Sequence, residues 1–214
     1  MINYLYENAD FIISLTLDHL LLFLIAMVLA TLMGLALGIL TVKSKKFSFL
    51  VPIINTLQSA PELVLLAFAI LIFGLGVEAA LAALFVKGLL PILRNTYSGI
   101  ANIDQNIVEA ARGMGMRKSQ ILFRIELPLA LPVILSGVRV ASVMAVSTLT
   151  LAAYIGVSGL GVLITQGIAM SDTNALYTGS VMAALLAVLA NYLILFVEKS
   201  LTTRKGVKIH GSYD

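Results

Sequence analysis

Residues Leu17–Val42 read LDHLLLFLIAMVLATLMGLALGILTV, an apolar run long enough to cross a bilayer as one helix, which takes about 20 residues. Within it, Gly34 and Gly38 stand at the spacing that lets a second helix approach closely. The rest of the chain repeats this character. Of 214 residues, 60% are hydrophobic and 12% charged, whereas an ordinary soluble domain carries about 25% charged residues. A water-soluble fold has no interior large enough for that much apolar surface. The chain is therefore measured in bilayer spans, of which its length allows roughly five with short connections.

Residues Phe49–Phe73 make a second run, interrupted by Pro52 and Pro61, and Ala79–Tyr97 a third, interrupted by Pro91. Both are expected to bend, because proline lacks the N–H a helix interior needs. The segment Asn102–Leu127 is polar and mixed in charge, and Ala130–Tyr154 is a fourth run. A glycine-rich stretch, Gly156–Gly167, precedes the fifth, Ala175–Val197, which ends in Glu198, Lys199 and a basic tail. The expected fold is an all-α membrane protein with about five transmembrane helices. It divides into an N-terminal external or interfacial helix (1–16), a transmembrane domain (17–200) with a cytoplasmic loop at 102–128, and a cytoplasmic basic tail (201–214).

Lysine and arginine beside a span stay in the cytoplasm. Here they cluster as Lys43, Lys45 and Lys46 after the first run, as Arg112, Arg117, Lys118 and Arg124 between the third and fourth, and as Lys199, Arg204, Lys205 and Lys208 after the fifth. The other connections carry Glu7, Asp10, Glu78 and Asp172 but no basic residue. All three clusters fall on one side if the N-terminus is outside and the C-terminus inside. The net charge of +3 is thus a topology signal, and membrane lipid rather than nucleic acid is the expected surrounding. Cysteine is absent and the two histidines, His19 and His210, lie at opposite ends of the chain, so no thiolate or disulfide framework is available and no metal site is expected. No lysine or arginine precedes Lys43, so a cleaved leader is not expected. Ile2, Leu5, Tyr6, Ala9, Ile12 and Ile13 recur at helical spacing opposite Asn3, Glu7 and Asp10. This pattern fits an interfacial helix or an extension of the first span.

The loop from Asp104 reads DQNIVEAARGMGMRKSQILFRIELP. Asp104 can cap a helix through Ile107, Glu109, Ala110 and Ala111, which Gly113 or Gly115 can end. A second short helix from about Arg117 to Glu126 is expected to lead to Pro128, where the next transmembrane helix can start. The small side chains of Ala110 and Ala111 let a partner pack closely. From the residues alone, a docking unit and a solvated connector both remain open.

Glu109, Ala110 and Ala111, then Gly115, then Ile125, Leu127 and Pro128 resemble the EAA loop of ABC importer permeases. The resemblance extends over nearly the whole chain. PILRNTYSGI at Pro91–Ile100, LPLALP at Leu127–Pro132 and TLAAYIGVSGLG at Thr150–Gly161 are similar to permeases of osmoprotectant importers, which take up glycine betaine, carnitine and choline. Methionine importer permeases are similar in size, but the stretch around Arg94 resembles them less. The resemblance implies a type I importer permease fold in a bacterial cytoplasmic membrane. It gives Glu109, Ala110, Ala111, Gly113, Gly115 and Met116 a coupling role, framed by Leu127 and Pro128. It also implies partners: ABC ATPase subunits that bind ATP and magnesium, a second permease subunit, homologous or identical, and an extracytoplasmic substrate-binding protein. Some relatives carry the binding domain after the last span; because this chain stops shortly after Lys208, a separate binding protein is expected. No cofactor is expected in the chain itself, and it contains no GxxxxGK[ST] loop, so ATP hydrolysis is expected elsewhere.

Polar side chains within spans usually face other helices or a water-filled route. Asn55, Gln58, Ser59 and Glu62 stand at i, i+3, i+4 and i+7, which would place them on one helical face lining the translocation path. The same face would also serve as interhelical hydrogen-bonding glue. Lys87 and Arg94 share a face of the third run, and Glu62 is a candidate partner for Lys87. Ser147, Thr150 and Tyr154 make a further stripe; the tyrosine ring can meet a quaternary ammonium or serve as an interfacial anchor. Arg139, nearer the cytoplasmic end, can snorkel. By resemblance, Gly156, Gly159 and Gly161 form an external gate, a role compatible with a glycine-rich re-entrant turn. A channel or ion-coupled transporter would need no soluble partner, and the loop argues against that class. A membrane enzyme would need a catalytic cluster that the sequence lacks.

Overall fold

The computed structural model describes residues 2–47 and 49–203; the tail positions Arg204, Lys205 and Lys208 lie outside the described residues. The described chain is built of helices, with no strand among them. A short α1 (Ile2–Glu7) is set off from α2 (Ala9–Lys43) at Asn8, whose side-chain amide donates to the Tyr4 carbonyl. Residues 9–16 are continuous with α2. Burial, and then the Asp172 carboxylate, push the Tyr4 phenol above its ordinary pKa.

After a 3₁₀ turn at Lys45–Phe47 come α3 (Leu50–Gln58) and α4 (Glu62–Phe73), whose axes meet at 110°. Proline explains the break. Pro61 lacks an N–H and pushes the residue before it out of helical geometry, and Pro61 itself is extended, with φ −58° and ψ 141°. The expected bend is therefore a full elbow. This corrects the reading of Asn55 to Glu62 as one helical face, since Asn55 and Gln58 belong to α3, Ser59 to the elbow and Glu62 to α4.

The central helix is α5 (Val77–Ala101), which continues through Pro91 and packs most extensively against α2 and α8. Its contact with α2 explains the paired glycines of the first run. A Cβ at Gly34 would stand 2.8 Å from Ile92, and one at Gly38 would stand 2.5 Å from Thr96. Its contact with α8 is as close, because a Cβ at Gly137 would meet Asn95 at 2.7 Å.

Beyond α5, the chain forms α6 (Gln105–Gly113) and α7 (Lys118–Ile121), then a wide π turn at Leu122–Glu126, α8 (Leu127–Leu151) and a 3₁₀ turn at Ala152–Ile155. The sequence places a new helix start at Pro128. Helix α8 does begin there, with Pro128 in its first turn, and a π turn, in which the Leu127 N–H reaches the Leu122 carbonyl, joins it to α7 in one apolar helical segment from Lys118 to Ile155. Then follow α9 (Gly161–Met170) and α10 (Thr173–Thr203), which packs on α8 and α9.

Three segments are long and apolar enough to cross a membrane: Ala9–Lys43, Lys118–Ile155 and Thr173–Leu201. The α3–α4 pair makes a fourth if it crosses as one broken span. With 25 residues, α5 reaches roughly 37 Å, but it carries Lys87 and Arg94 and packs mainly on protein.

Candidate functional site

The loop folds around a small core of its own. Asp104 caps α6 by accepting the Asn106 N–H at 2.9 Å, and Gln120 accepts the Arg117 N–H at 2.8 Å to begin α7. Val108, Ala111 and Ile121 are buried together, with Ile103, Met116 and Ile125 packed on them. The end of α6 is set at Gly115. Its N–H donates to the Arg112 carbonyl and the Met116 N–H to the Ala111 carbonyl, a Schellman closure that needs a left-handed residue at this position. Gly115 supplies it with φ +80°, and a Cβ there would meet nothing within 4 Å. Glycine is thus required by backbone conformation rather than by space.

This packing sorts the sequence-selected residues. Glu109, Ala110, Gly113 and Gly115 face outward, whereas Ala111 and Met116 belong to the loop core. Leu127 packs with Ile100, Ala130 and Ile134, and Pro128 sits in the first turn of α8. Met114, not selected from the sequence, is 74% exposed and lies beside Gly113 and Gly115. Ile107 and Phe123 are also exposed. An outward methionine next to small residues is a signal for docking, because methionine adapts its shape to a partner groove.

The loop is tied to α2 by an ion pair that sequence reasoning missed. Lys43 Nζ lies 2.5 Å from Glu126 Oε2, with the carboxylate side chain 7% exposed. A cleft of about 760 Å³ opens between the ends of α2 and α5 and the inner side of α6 and α7, and Lys43, Glu126, Arg112 and Lys118 line part of it. The outward face of α6 therefore rests on a bridged but loosely filled support.

At the elbow, polar groups from four helices meet, α3, α4, α5 and α8. Gln58 accepts from Arg94 at 3.3 Å, Glu62 accepts from Ser147 Oγ at 3.3 Å, and Lys87 Nζ donates to the Ala60 carbonyl at 3.0 Å. The expected Lys87–Glu62 pair is corrected: the lysine reaches backbone at the break, and the carboxylate reaches α8. Glu62 and Ser147, selected separately from the sequence as candidates for the path, are thus brought together. Thr150 bonds the Ser147 carbonyl, Tyr154 is 63% exposed, and Asn55 and Ser59 are exposed. Arg139 reaches Glu198 of α10 at 3.7 Å, so it has a partner beyond the lipid surface.

The glycine-rich segment leaves the other end of α8. Gly156 follows the 3₁₀ turn, and Gly161 opens α9 against α8 so tightly that a Cβ would stand 2.1 Å from the Thr150 carbonyl oxygen. A Cβ at Gly159 would lie 3.2 Å from the buried His19 ring, while Ser158 Oγ donates to Asp18 at 2.5 Å. This segment is fastened to α2. Asp18, an acid within the apolar run of α2, was not singled out from the sequence.

The comparisons agree with this architecture. Residues 27–206 match the family described as binding-protein-dependent transport system inner membrane component. The osmoprotectant import permease protein OsmW of Salmonella typhimurium is 38% identical over 215 residues, covering 97% of this chain and 99% of that protein. The glycine betaine/carnitine/choline transport system permease protein OpuCD of Bacillus subtilis is 35% identical over 207 residues, covering 96% and 90%. Among solved structures, an inward-facing form of the MetNI methionine ABC transporter aligns with a TM-score of 0.80 and 22% identity, covering 89% of this chain and 96% of that one. This last likeness speaks for the fold alone. The chain belongs to the family of binding-protein-dependent transport system inner membrane components, and its fold is that of an ABC importer permease.

Proposed function

We propose that this chain is the permease subunit of an ATP-driven importer for osmoprotectants of the quaternary-amine type: glycine betaine, carnitine and choline. The observation that carries the cargo is the similarity, over nearly the full length of both chains, to permeases named for those compounds. The subunit pairs with a second permease, receives substrate from an extracytoplasmic binding protein and couples to ABC ATPase subunits that bind ATP and magnesium. Loop 102–128 faces the cytoplasm, where the outward side of α6, with Glu109, Ala110, Gly113, Gly115 and Met114, enters the ATPase. Ala111, Met116, Leu127 and Pro128 shape that surface from beneath.

The path runs along the elbow and α8, past Asn55, Gln58, Ser59, Glu62, Ser147, Thr150 and Tyr154. Glu62 offers a carboxylate, and Tyr154 an exposed ring, to a passing quaternary ammonium. Gly156, Gly159 and Gly161 shape the external gate. Transport follows from alternating access, in which the ATPase state biases the helices between outward and inward openings; the permease itself makes and breaks no bond. The test is competition in proteoliposomes holding the assembled importer. Unlabelled glycine betaine, choline or carnitine should displace radiolabelled glycine betaine, and methionine should not; displacement by methionine alone would reverse the cargo reading.

A further inference from the structure

Two separate apolar contacts seat α3 and α4 on α5. Ile54 of α3 is buried with Leu90 and Leu93, and Leu66 and Ala69 of α4 with Ala79 and Ala83. Lys87 lies between these contacts along α5, level with the elbow, and is only 5% exposed. A broken helix leaves its last carbonyls without intrahelical donors and with partial negative charge, and Pro61 can donate nothing to them. A lysine enclosed by apolar helices, in turn, needs an acceptor. The 3.0 Å bond from Lys87 Nζ to the Ala60 carbonyl meets both needs.

We propose that Lys87 is a positioning residue for translocation, fixing the α3–α4 elbow through the Ala60 carbonyl. The elbow carries Gln58 on one side and Glu62 on the other, each bonded to a different helix. Holding the carbonyl between them sets where both side chains stand relative to α5 and α8. Lys87 touches no cargo in this role; it acts through the backbone of the elbow. The inference rests on the transport reading of this face but not on which compound is carried.

The chain contains no cysteine, so Ala60→Cys, at a half-buried elbow position outside the path residues, places a single thiol of this subunit in the elbow and leaves the backbone carbonyl in place. In the assembled importer in proteoliposomes, its labelling by a water-soluble maleimide should be about tenfold faster with Lys87→Met, the size expected for a lost charge-assisted hydrogen bond, and within about twofold of the parent with Lys87→Arg. In the same preparations, Lys87→Met should raise the ATP hydrolysed per substrate imported, whereas a loss of folded complex alone would lower hydrolysis and import together. Should Lys87→Met not assemble, Lys87→Gln, which keeps a donor without the charge, takes its place in the comparison. An unchanged labelling rate in the neutral variant, or Lys87→Arg behaving like it, overturns the proposal. Failure of the parent to import glycine betaine would instead overturn the cargo and leave the labelling comparison intact.

Discussion

Gly115 is the residue at which sequence, backbone and role meet most directly. Its left-handed conformation closes α6, and the open space around it means that a side chain there is penalised only through φ. The local cost for a non-glycine residue is roughly 1–2 kcal/mol. Gly115→Val should therefore lower ATP-dependent uptake severely while the protein still inserts, with Gly115→Asn intermediate because asparagine visits this conformation. Equal uptake by all three would detach the closure from coupling. The two methionines beside it should separate cleanly. Met114 is exposed and Met116 packs in the loop core, so Met114→Ala should weaken ATPase binding at unchanged thermal stability. Met116→Ala should cost about 1 kcal/mol of stability for the apolar area it uncovers. Pull-down of the ATPase and thermal unfolding in detergent read the two effects. The glycines and the EAA spacing were legible in the sequence, whereas the inward or outward sense of Met114 and Met116 was not, because α6 is too short for its buried face to be identified without its partner α7.

At the scale of elements, apolar runs announce spans, but their joints depend on contacts far along the chain. Proline at position 61 marks a break without stating its angle, and the 110° elbow follows from α3 and α4 seating on different parts of α5. Similarly, Pro128 marks the start of α8, but nothing local shows that a π turn at Leu122–Glu126 joins that helix to α7 without a break. Lys43 and Glu126 are 83 residues apart, and nothing local to either predicts their pairing. A cycle of Lys43→Met, Glu126→Gln and the double variant should give a coupling energy of roughly 1 kcal/mol, modest because the lysine is partly solvated. Each single variant should also reduce coupled transport, since the pair ties the loop to α2. A coupling energy of zero would make the contact incidental.

For the whole molecule, composition and charge pattern made the membrane class and helical architecture legible, and the loop spacing made the family legible. What could not be read was which helix stands at the centre. The α5 helix carries Lys87 and Arg94 and looks like a poor span, yet it forms the spine against which α2, α3, α4 and α8 pack, and its charges serve neighbouring helices rather than lipid. On the proposed reading, the state of a separate ATPase shifts this architecture between its outward and inward openings. Uptake of radiolabelled glycine betaine into proteoliposomes is the decisive measurement, made with the permease assembly alone and then with its ATPase, its binding protein and ATP. Accumulation is expected only in the complete system, and should disappear with Glu109→Lys; accumulation by the permease assembly alone would contradict its assignment as an ATPase-coupled subunit.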